Sequence, residues 1–298
     1  MYHNPVLLKE SVENLVRNPN GVYVDLTFGG GGHSAAILER LDKKGKLIAF
    51  DIDDDALKNS IKDKRFVLVN QNFRFLWNYL RYYDAIPVDG ILADLGVSSH
   101  QIDDDNRGFS IRKDGDLDMR MNSGLSLSAK DVLNNYSAED LIKVFRDYGE
   151  LDKPHVFAHA VVRQREIKPF ETTSELKEFA EKYAPKKKEY KYLSQVFQAV
   201  RIEVNQEIVV LEEMLLQIEK VLKVGGVAAI ISYHSLEDRL VKNLFKTGNL
   251  EGEVKKDFYG NKLNPFMLVN RKPILPSDKE IELNGRARSA KLRIAEKI

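Results

Sequence analysis

Short apolar runs alternate with stretches of helical periodicity through the first hundred residues of the chain. The helical stretches are expected at 34–41 and 56–62, and the apolar runs predict strands at 22–28, 46–52, 66–69 and 88–95. The last of these strands is apolar on both faces, which is typical of a parallel sheet covered by helices on each side. The pattern therefore predicts an α/β fold built on a parallel sheet.

The middle of the chain follows a different pattern. Between 108 and 203 helical periodicity dominates, and the polar residues that favour helix starts are found at Ser137 and Thr173. One long helix is predicted over 194–222, ended by the glycine pair at 225–226. This region has almost no strand pattern, so we expect it to be all-helical.

Strand character returns towards the end of the sequence. Strands are predicted at 227–233 and within 287–295, with a helix at 236–245 between them. A strand-rich region is thus interrupted by a helical one and then resumes. We therefore predict two regions, a core formed by 1–107 with 204–298 and a helical insertion at 108–203.

Composition narrows the class of protein. Of the 298 residues 43% are apolar and 31% are charged, as in soluble globular proteins. The chain has no cysteine, which excludes disulfides and thiolate metal sites and makes a reducing cytoplasm the expected compartment. No apolar run is long enough to span a membrane, and the first residues do not resemble a signal peptide.

Positive charge is local rather than general. The net charge is only +1, but two windows, 182–191 and 285–298, each carry five basic residues against one glutamate. Such windows are commonly solvated surface, and they are also the pattern expected of a nucleic-acid contact. The sequence leaves both interpretations open at this point.

Four consecutive glycines, at 29–32, follow the first predicted strand and precede a helix. Glycines at such a turn let the backbone approach a ligand closely, and the free N–H groups of the helix start favour an anion. No lysine follows the loop, which argues against a P-loop. Asp51 ends the second predicted strand, where a carboxylate can accept both hydroxyls of a ribose. A nicotinamide dinucleotide and S-adenosylmethionine both fit this arrangement.

Further motifs distinguish the two cofactors, and they extend nearly from end to end of the chain. They are His3-x-Pro5-Val-Leu-Leu, Gly31-Gly-His-Ser, Asp94-Leu-Gly-Val-Ser-Ser-His-Gln, Arg107-Gly-Phe-Ser, Asp114-Gly-Asp-Leu-Asp-Met-Arg-Met, Phe197-Gln-Ala-Val-Arg-Ile, Ser232-Tyr-His-Ser-Leu-Glu-Asp-Arg and Arg286-Ala-Arg-Ser. In this order they closely resemble the family of ribosomal RNA small-subunit methyltransferase H. The sequence departs from that family at His100, Asp116 and Gly285, where proline is usual, and proline would restrain the backbone there.

The resemblance implies a function and a fold. It implies methyl transfer from S-adenosylmethionine to N4 of a cytidine in the 16S ribosomal RNA of the small ribosomal subunit. It also implies a Rossmann-like methyltransferase sheet with an inserted all-helical domain, which we expect to recognise RNA. No membrane partner is expected, and the sequence leaves a homodimer open. The cofactor contacts implied by the matching motifs are Gly31, Gly32, His33, Asp51, Phe73, Asp94 and Gln101.

The chemistry of cytosine N4 limits the catalytic candidates. Its lone pair is delocalised into the ring, so the amine has to be held in line with the methyl group while a proton leaves. Without cysteine, direct transfer is expected instead of a covalent adduct. Among the candidate acceptors Asp94, Asp118, Ser232 and His234, we predict that Asp118 and His234 flank the target amine. An ion pair with Arg120 is the competing role for Asp118.

Other interpretations remain at this stage. His155 and His159 have helical spacing, but no third ligand is evident, so no metal site is predicted. The glycine loop alone also permits a nicotinamide-dependent oxidoreductase. A non-catalytic RNA-binding protein on a methyltransferase scaffold is the second alternative, and the intact motifs around Asp94, Gln101 and His234 argue against it.

Overall fold

The computed structural model describes residues 5–298, except for the side chain of Ser99, and separates them into two compact units. One unit comprises Met1–Gly96 with Ile208–Ile298, and is called the sheet unit below. The other, Val97–Glu207, is called the helical unit. The sequence pattern places the divisions at 107/108 and 203/204 instead. Helical periodicity is weak in the loops at 97–128, so it does not mark where the chain leaves the sheet.

Seven strands form the sheet, in the order β3-β2-β1-β4-β5-β7-β6. Strands β1 to β5 are parallel, and β7 runs antiparallel to both β5 and β6. The five parallel strands therefore end at one edge of the sheet, where open α/β folds bind ligands. The strands are β1 (Val22–Asp25), β2 (Lys46–Asp51), β3 (Phe66–Asn70), β4 (Val88–Asp94), β5 (Leu222–Ser232), β6 (Phe266–Leu268) and β7 (Lys291–Lys297).

Helices cover both faces of this sheet because its strands are apolar on both sides. In β1, for example, Tyr23 and Val24 belong to separate buried clusters, one on each face. Each cluster includes apolar residues from the helices that cover it. The helices of the sheet unit are α1 (Leu8–Leu15), α2 (Gly32–Arg40), α3 (Asp54–Leu57), α4 (Leu76–Tyr82), α11 (Glu207–Val221, which starts at the division), α12 (Ser235–Thr247) and α13 (Asp278–Leu283).

The helical unit has a buried core of its own, with Phe145, Phe157 and Phe179 among its members. Their rings meet in pairs at 4.8 and 5.8 Å between centroids. Hydroxyl caps start several of the helices, as the sequence predicts at Ser137, whose side chain accepts from the Asp140 N–H. The helices are α5 (Ser99–Asp103), α6 (Ala129–Asn135), α7 (Ala138–Asp147), α8 (Pro154–Ile167), α9 (Thr173–Glu181) and α10 (Glu189–Asn205).

The long helix predicted over 194–222 is wrong. Gln206 adopts a left-handed conformation, with φ of 51°, and separates α10 from α11. Apolar periodicity continues across this single residue, so the sequence gives no sign of the break. The glycine pair does not end a helix either. It lies inside β5, where Gly225 has φ of 79°, and the pairing of β5 with β4 shifts register next to it.

Three other predicted elements have different bounds from those expected, and the first two are shorter. β1 ends at Asp25 because the N–H of Thr27 donates to the Asp25 side chain and leaves the ladder. The helix predicted at 56–62 is only the single turn α3. The final strand starts at Lys291, since residues Gly285–Ser289 form a 3₁₀ turn. Within the described residues, no helix combines the length and apolar character needed to cross a membrane.

Candidate active site

Three acidic residues end neighbouring parallel strands of the sheet unit. Asp25 closes β1, Asp51 closes β2 and Asp94 closes β4, and β1 lies between the other two strands. The glycine loop leaves this same edge and leads into α2. Backbone amides and carboxylates are thus concentrated at one place, which is the usual ligand position in such folds.

Asp25, which the sequence reasoning missed, is a structural member of this edge. Its side chain is fully buried. One oxygen accepts from the Thr27 N–H at 3.1 Å, and the other accepts from the Ser34 hydroxyl at 2.6 Å. Burial raises the pKa of the Asp25 carboxyl, although both of these hydrogen bonds oppose the change. Asp25 therefore joins the two ends of the glycine loop, and it is not accessible to a ligand.

The glycines of the loop have different reasons to be glycine. Gly31 caps α2 with φ of 77°, a conformation that other residues rarely adopt. A side chain at Gly32 would overlap the ring of Pro5, so this glycine is needed for packing. At Gly29, which has φ of 50°, no heavy atom lies within 4 Å of the place where a Cβ would stand. The open space over Gly29 leaves room for a ligand beside the backbone.

Asp51 holds the entrance of the glycine loop. Its carboxylate accepts from the Gly29 N–H at 2.7 Å and from the Asp53 N–H at 2.8 Å. Burial raises the pKa of Asp51 to about 6 despite these two bonds. The residue keeps partial exposure, unlike Asp25. Each carboxylate oxygen can accept more than one hydrogen bond, so Asp51 can order the loop and also accept from a ribose.

Asp94 is fixed by two residues that the sequence reasoning did not single out. The Tyr233 hydroxyl donates to its carboxylate at 2.7 Å, and its backbone N–H donates to the Thr27 hydroxyl at 2.7 Å. Burial raises the pKa of Asp94 to about 6, while nearby His33 and the Tyr233 hydroxyl oppose the change. The side chain still has 22% of its surface exposed, which leaves the carboxylate within reach of a ligand.

His33 lies behind Asp94 and not in the open. It is 5% exposed, and its Nε2 lies 3.1 Å from the Val6 carbonyl oxygen, to which it can only donate. Its Nδ1 is 3.9 Å from the Asp94 carboxylate. Burial lowers the pKa of His33, so a neutral ring is favoured. This geometry gives His33 a part in shaping the site, and its direct contact with a cofactor stays a prediction.

Phe73 opens a 3₁₀ turn just after β3, at the same edge of the sheet. Its ring is partly buried and packs against the core cluster on one face of the sheet. Asn72 caps the turn by accepting from the Arg74 N–H at 2.9 Å. The ring is therefore held by packing while part of it stays accessible, as a surface for adenine would require.

His234 caps a helix, a role that the sequence reasoning did not foresee. It is the N-cap of α12, and its Nδ1 accepts from the Glu237 N–H at 3.4 Å. Its Nε2 is buried 3.3 Å from a Glu237 carboxylate oxygen, but without hydrogen-bond geometry, and it has no other hydrogen-bond partner within residues 5–298. A buried nitrogen without a partner is costly, so a role for this atom stays open.

Two predicted site residues belong to the helical unit. Gln101 is 5% exposed and closes a capping box with Ser98, each side chain binding the other residue's backbone N–H. Asp118 binds Arg120 through both carboxylate oxygens, at 2.8 and 2.7 Å. Burial would raise the pKa of Asp118, but the hydrogen bonds from Arg120 outweigh it and keep the pKa below its usual value. The ion pair expected as the competing role is therefore present.

The two basic windows differ in how their charges are used. In the first, Lys186, Lys187 and Lys188 are exposed at the turn before α10. In the second, Arg293 binds Asp238 at 2.7 Å, and Lys297 donates to the carbonyl oxygens of α11 and β5. Much of the second window therefore stabilises the sheet unit, and the first is the better candidate for an external partner.

Comparison with known proteins places the chain in a family. The model of the MraW methylase family matches residues 1–298. The chain is 56% identical to the ribosomal RNA small subunit methyltransferase H of Flavobacterium johnsoniae over 297 residues, which cover 100% of this chain and 98% of that protein. The protein of the same name from Parabacteroides distasonis is 55% identical over 298 residues, covering 100% and 98%.

Solved structures resemble the chain more distantly. A putative rRNA-methylase from Clostridium thermocellum is 15% identical, with 99% of this chain and 98% of that chain covered and a TM-score of 0.45. The sheet order and the full-length family match confirm the predicted Rossmann-like methyltransferase fold and the predicted cofactor, S-adenosylmethionine. The chain belongs to the MraW methylase family.

Proposed function

We propose that this protein transfers a methyl group from S-adenosylmethionine to N4 of a cytidine in the 16S ribosomal RNA of the small ribosomal subunit. Family membership supports methyl transfer, and the names of the relatives support ribosomal RNA as the substrate. The observation that carries the proposal is the pair of partly exposed carboxylates, Asp51 and Asp94, at the edge that also bears the glycine loop.

The charge of this edge suits a cationic cofactor. In the described part of the sheet unit, no lysine or arginine forms an ion pair with Asp51 or Asp94, and the neighbouring His33 is favoured as neutral. When bound, S-adenosylmethionine supplies a methyl group on a positively charged sulfur. A buried carboxylate without a positively charged partner is costly, and a cation beside it removes much of that cost.

Each residue of the edge has a physical role in this proposal. Asp51 accepts hydrogen bonds from the ribose, and the exposed side of Phe73 lies against the adenine. The open backbone at Gly29 allows close approach of the cofactor. Asp94, oriented by the Tyr233 hydroxyl, holds the charged end. Because the chain belongs to a methylase family, S-adenosylmethionine is preferred to a nicotinamide dinucleotide as the cofactor.

The catalytic assignment stays a proposal. Asp118 and His234 flank the target amine, with Asp118 accepting its hydrogen bond and His234 positioning the base or receiving a proton. The buried Nε2 of His234 is consistent with such a part. The pair of hydrogen bonds from Arg120 favours ionised Asp118, which can accept but not donate.

The helical unit is proposed to recognise RNA. The argument is the exposed lysine group Lys186, Lys187 and Lys188, since phosphates dominate affinity for nucleic acids. The turn that carries these three lysines connects α9 to α10, so a helix holds it in place at each end.

One experiment tests the function as a whole. Nucleoside mass spectrometry of small-subunit RNA compares cells with and without this protein, and cells that express the Asp94→Asn variant. We expect N4-methylated cytidine to be lost without the protein and to return with the wild-type chain only. If cells lacking the protein keep the same methylated nucleosides, the proposed reaction is wrong.

A further inference from the structure

Two aromatic rings project from the sheet unit far from its core. Phe258 is 98% exposed and Tyr259 is 86% exposed, which makes them more exposed than any other aromatic residue described. Packing cannot explain them, because rings this exposed contribute little to the hydrophobic core. Because the two rings are in contact, they form one contiguous exposed apolar patch, and such patches mark interaction sites.

The rings stand at the tip of a short hairpin, 255–263, which we call the aromatic hairpin. The backbone N–H of Asp257 donates to the Asn261 carbonyl oxygen and that of Leu263 to the Lys255 carbonyl oxygen, each at 2.9 Å. The loop between the arms has three residues, and the last is Gly260 with φ of 87°, as three-residue hairpin loops require. The tip is therefore a defined turn.

Asp257 fixes the shape of this tip. Its carboxylate accepts from the N–H groups of Tyr259 and Asn261, at 2.9 and 2.8 Å, and from the Asn261 side-chain amide at 3.0 Å. The two rings meet edge to face, with centroids 5.7 Å apart and planes at 88°. The rings are thus presented together on an ordered turn, so the backbone of the tip does not have to be ordered when a partner binds.

Charge surrounds the rings. Lys255, Lys256 and Lys262 are exposed on the arms of the hairpin, and Asp257 is its only acidic residue. Among the described residues none of the three lysines forms an ion pair. Exposed aromatic rings between lysines are the combination that single-stranded nucleic acids bind, since bases stack on the rings and phosphates meet the cations.

The size of the feature also selects the partner. Two rings bury at most about 150–250 Å² each, whereas a stable protein interface needs about 800 Å² per partner. A second copy would bring two positively charged hairpins together. Stacking of one or two bases needs only the rings themselves.

We propose that the aromatic hairpin binds unpaired bases of an RNA, with Phe258 and Tyr259 as the stacking surface and the three lysines as phosphate contacts. This inference rests on the proposed function for the choice of RNA over DNA. The hairpin is a substrate contact of the sheet unit, separate from the lysine group at 186–188 of the helical unit.

The first test measures binding of the full chain to a fluorescein-labelled, mixed-sequence, single-stranded RNA of about fifteen nucleotides. We expect the Phe258→Ala/Tyr259→Ala variant to bind at least about tenfold more weakly, the usual cost of losing a stacked base. Tyr82→Ala, which removes another exposed ring, should bind like the wild type. Phe258→Trp should retain affinity and Phe258→Leu should lose it, because stacking needs a π face and not only apolar area.

The second test uses salt. Replacing Lys255, Lys256 and Lys262 by glutamine should reduce the salt dependence of binding by about 0.7 per lost phosphate contact. Equal RNA affinity of the wild type and the double alanine variant would overturn the proposal. A change of sedimentation mass, or of flotation with anionic phospholipid vesicles, with RNA affinity intact would overturn it in favour of a second copy or a membrane.

The two proposals can fail separately. Binding of S-adenosylmethionine by calorimetry checks that the double variant is folded and that its cofactor site is intact. If RNA affinity falls as expected while small-subunit RNA lacks the predicted methylated cytidine, the hairpin stands and the proposed reaction falls. If methylation is present and RNA affinity does not change, the hairpin proposal alone is wrong.

Discussion

The acidic residues of the two units differ in what neutralises them. Asp51 and Asp94 of the sheet unit lie in low-dielectric surroundings where burial raises the pKa of each to about 6. Asp118 of the helical unit is bound through both oxygens by Arg120, and its pKa lies below the usual value. An acid with its own arginine is already satisfied within the fold. Acids that are buried without a cation are costly, and such groups are concentrated at functional sites.

The difference supports the cofactor role of Asp51 and Asp94 more strongly than the catalytic role of Asp118. The protein supplies too little positive charge to balance the ionised carboxylates of Asp51 and Asp94, and a site for a cationic ligand requires such an excess of negative charge. Asp118, in contrast, has to accept the hydrogen bond of the target amine while it is bound to Arg120. This difference between the two units predicts different responses to substitution.

The largest effect is expected at the proposed catalytic pair. Asp118→Asn and His234→Ala should each lower single-turnover methylation by about a hundredfold or more, with cofactor affinity nearly unchanged. His234→Asn is the control, since asparagine is a good N-cap and keeps the start of α12. Thermal unfolding of both His234 variants separates loss of the cap from loss of chemistry. Wild-type rates at saturation in both variants would show that the Asp118–Arg120 ion pair and the His234 cap are structural only.

A somewhat smaller effect is expected on cofactor affinity. Asp94→Asn should weaken S-adenosylmethionine binding about tenfold to a hundredfold, in line with about 1.5–3 kcal/mol for a hydrogen bond to a charged group. The same variant should unfold at an unchanged or higher temperature without ligand, because it removes an uncompensated buried charge. Calorimetry and thermal unfolding measure the two quantities.

Asp51→Asn should show a different balance of the two effects. Affinity should fall similarly, but stability should also fall, because an amide offers only one acceptor oxygen to the N–H groups of Gly29 and Asp53. Unchanged affinity with normal unfolding would mean that Asp51 orders the loop and does not bind the ribose.

The pH dependence follows from the raised pKa values. The folded protein holds more protons than the unfolded chain between about pH 4 and pH 6, so the stability contributed by protonated Asp51 and Asp94 is complete below about pH 4 and is lost as the pH rises through about 6. A cationic ligand prefers the ionised acids. Its affinity should therefore rise with pH by up to tenfold per unit for each proton released, and level off above about pH 6.

Calorimetry in buffers of different ionisation enthalpy would measure that proton release. In Asp94→Asn the slope should be reduced, since one of the two titrating acids is gone. An identical slope in the variant would remove Asp94 from the cofactor's charged end. Asp118→Asn should leave the slope unchanged, because the Arg120 ion pair keeps that acid ionised over the same range.

The smallest effect is expected on RNA binding by the helical unit. Replacing Lys186, Lys187 and Lys188 by glutamine should reduce the salt slope by about one unit per lost phosphate contact. The matched control replaces three exposed lysines of the sheet unit, Lys43, Lys44 and Lys64. Equal slopes in both triple variants would remove the 186–188 group from the RNA site.

Local chemistry made part of the site predictable. The glycine loop, and the acids at the ends of β2 and β4, follow from apolar runs that stop at a polar residue, so they could be found from the sequence. The motifs of the family added Phe73 and Gln101, which no local pattern marks. The position of His3 in the first motif lies outside the described residues.

Long-range contacts explain what could not be predicted. Tyr233 binds Asp94 only because β5 pairs with β4, and no pattern in the sequence announces that contact. The sequence pattern places Asp25 within an ordinary strand and does not indicate its hydrogen bond to Ser34, which closes the glycine loop. The motifs predict Gly32 as a cofactor contact, whereas packing against Pro5 also requires a glycine there. The sharp break at Gln206 keeps the apolar spacing on both sides and is therefore invisible in it.

The insertion between β4 and β5 also has a consequence for folding kinetics. Strands β1 to β4 come from neighbouring stretches of chain, whereas pairing of β4 with β5 joins Asp94 to Ile231 across the whole helical unit. The entropy of closing such a loop rises only slowly with its length, by about 0.6 kcal/mol per doubling, so the equilibrium cost is modest. The search for non-local pairs is slower, however. We therefore expect strands β1 to β4 to pair first. Tyr233 can donate its hydrogen bond to Asp94 only later, when β5 pairs with β4.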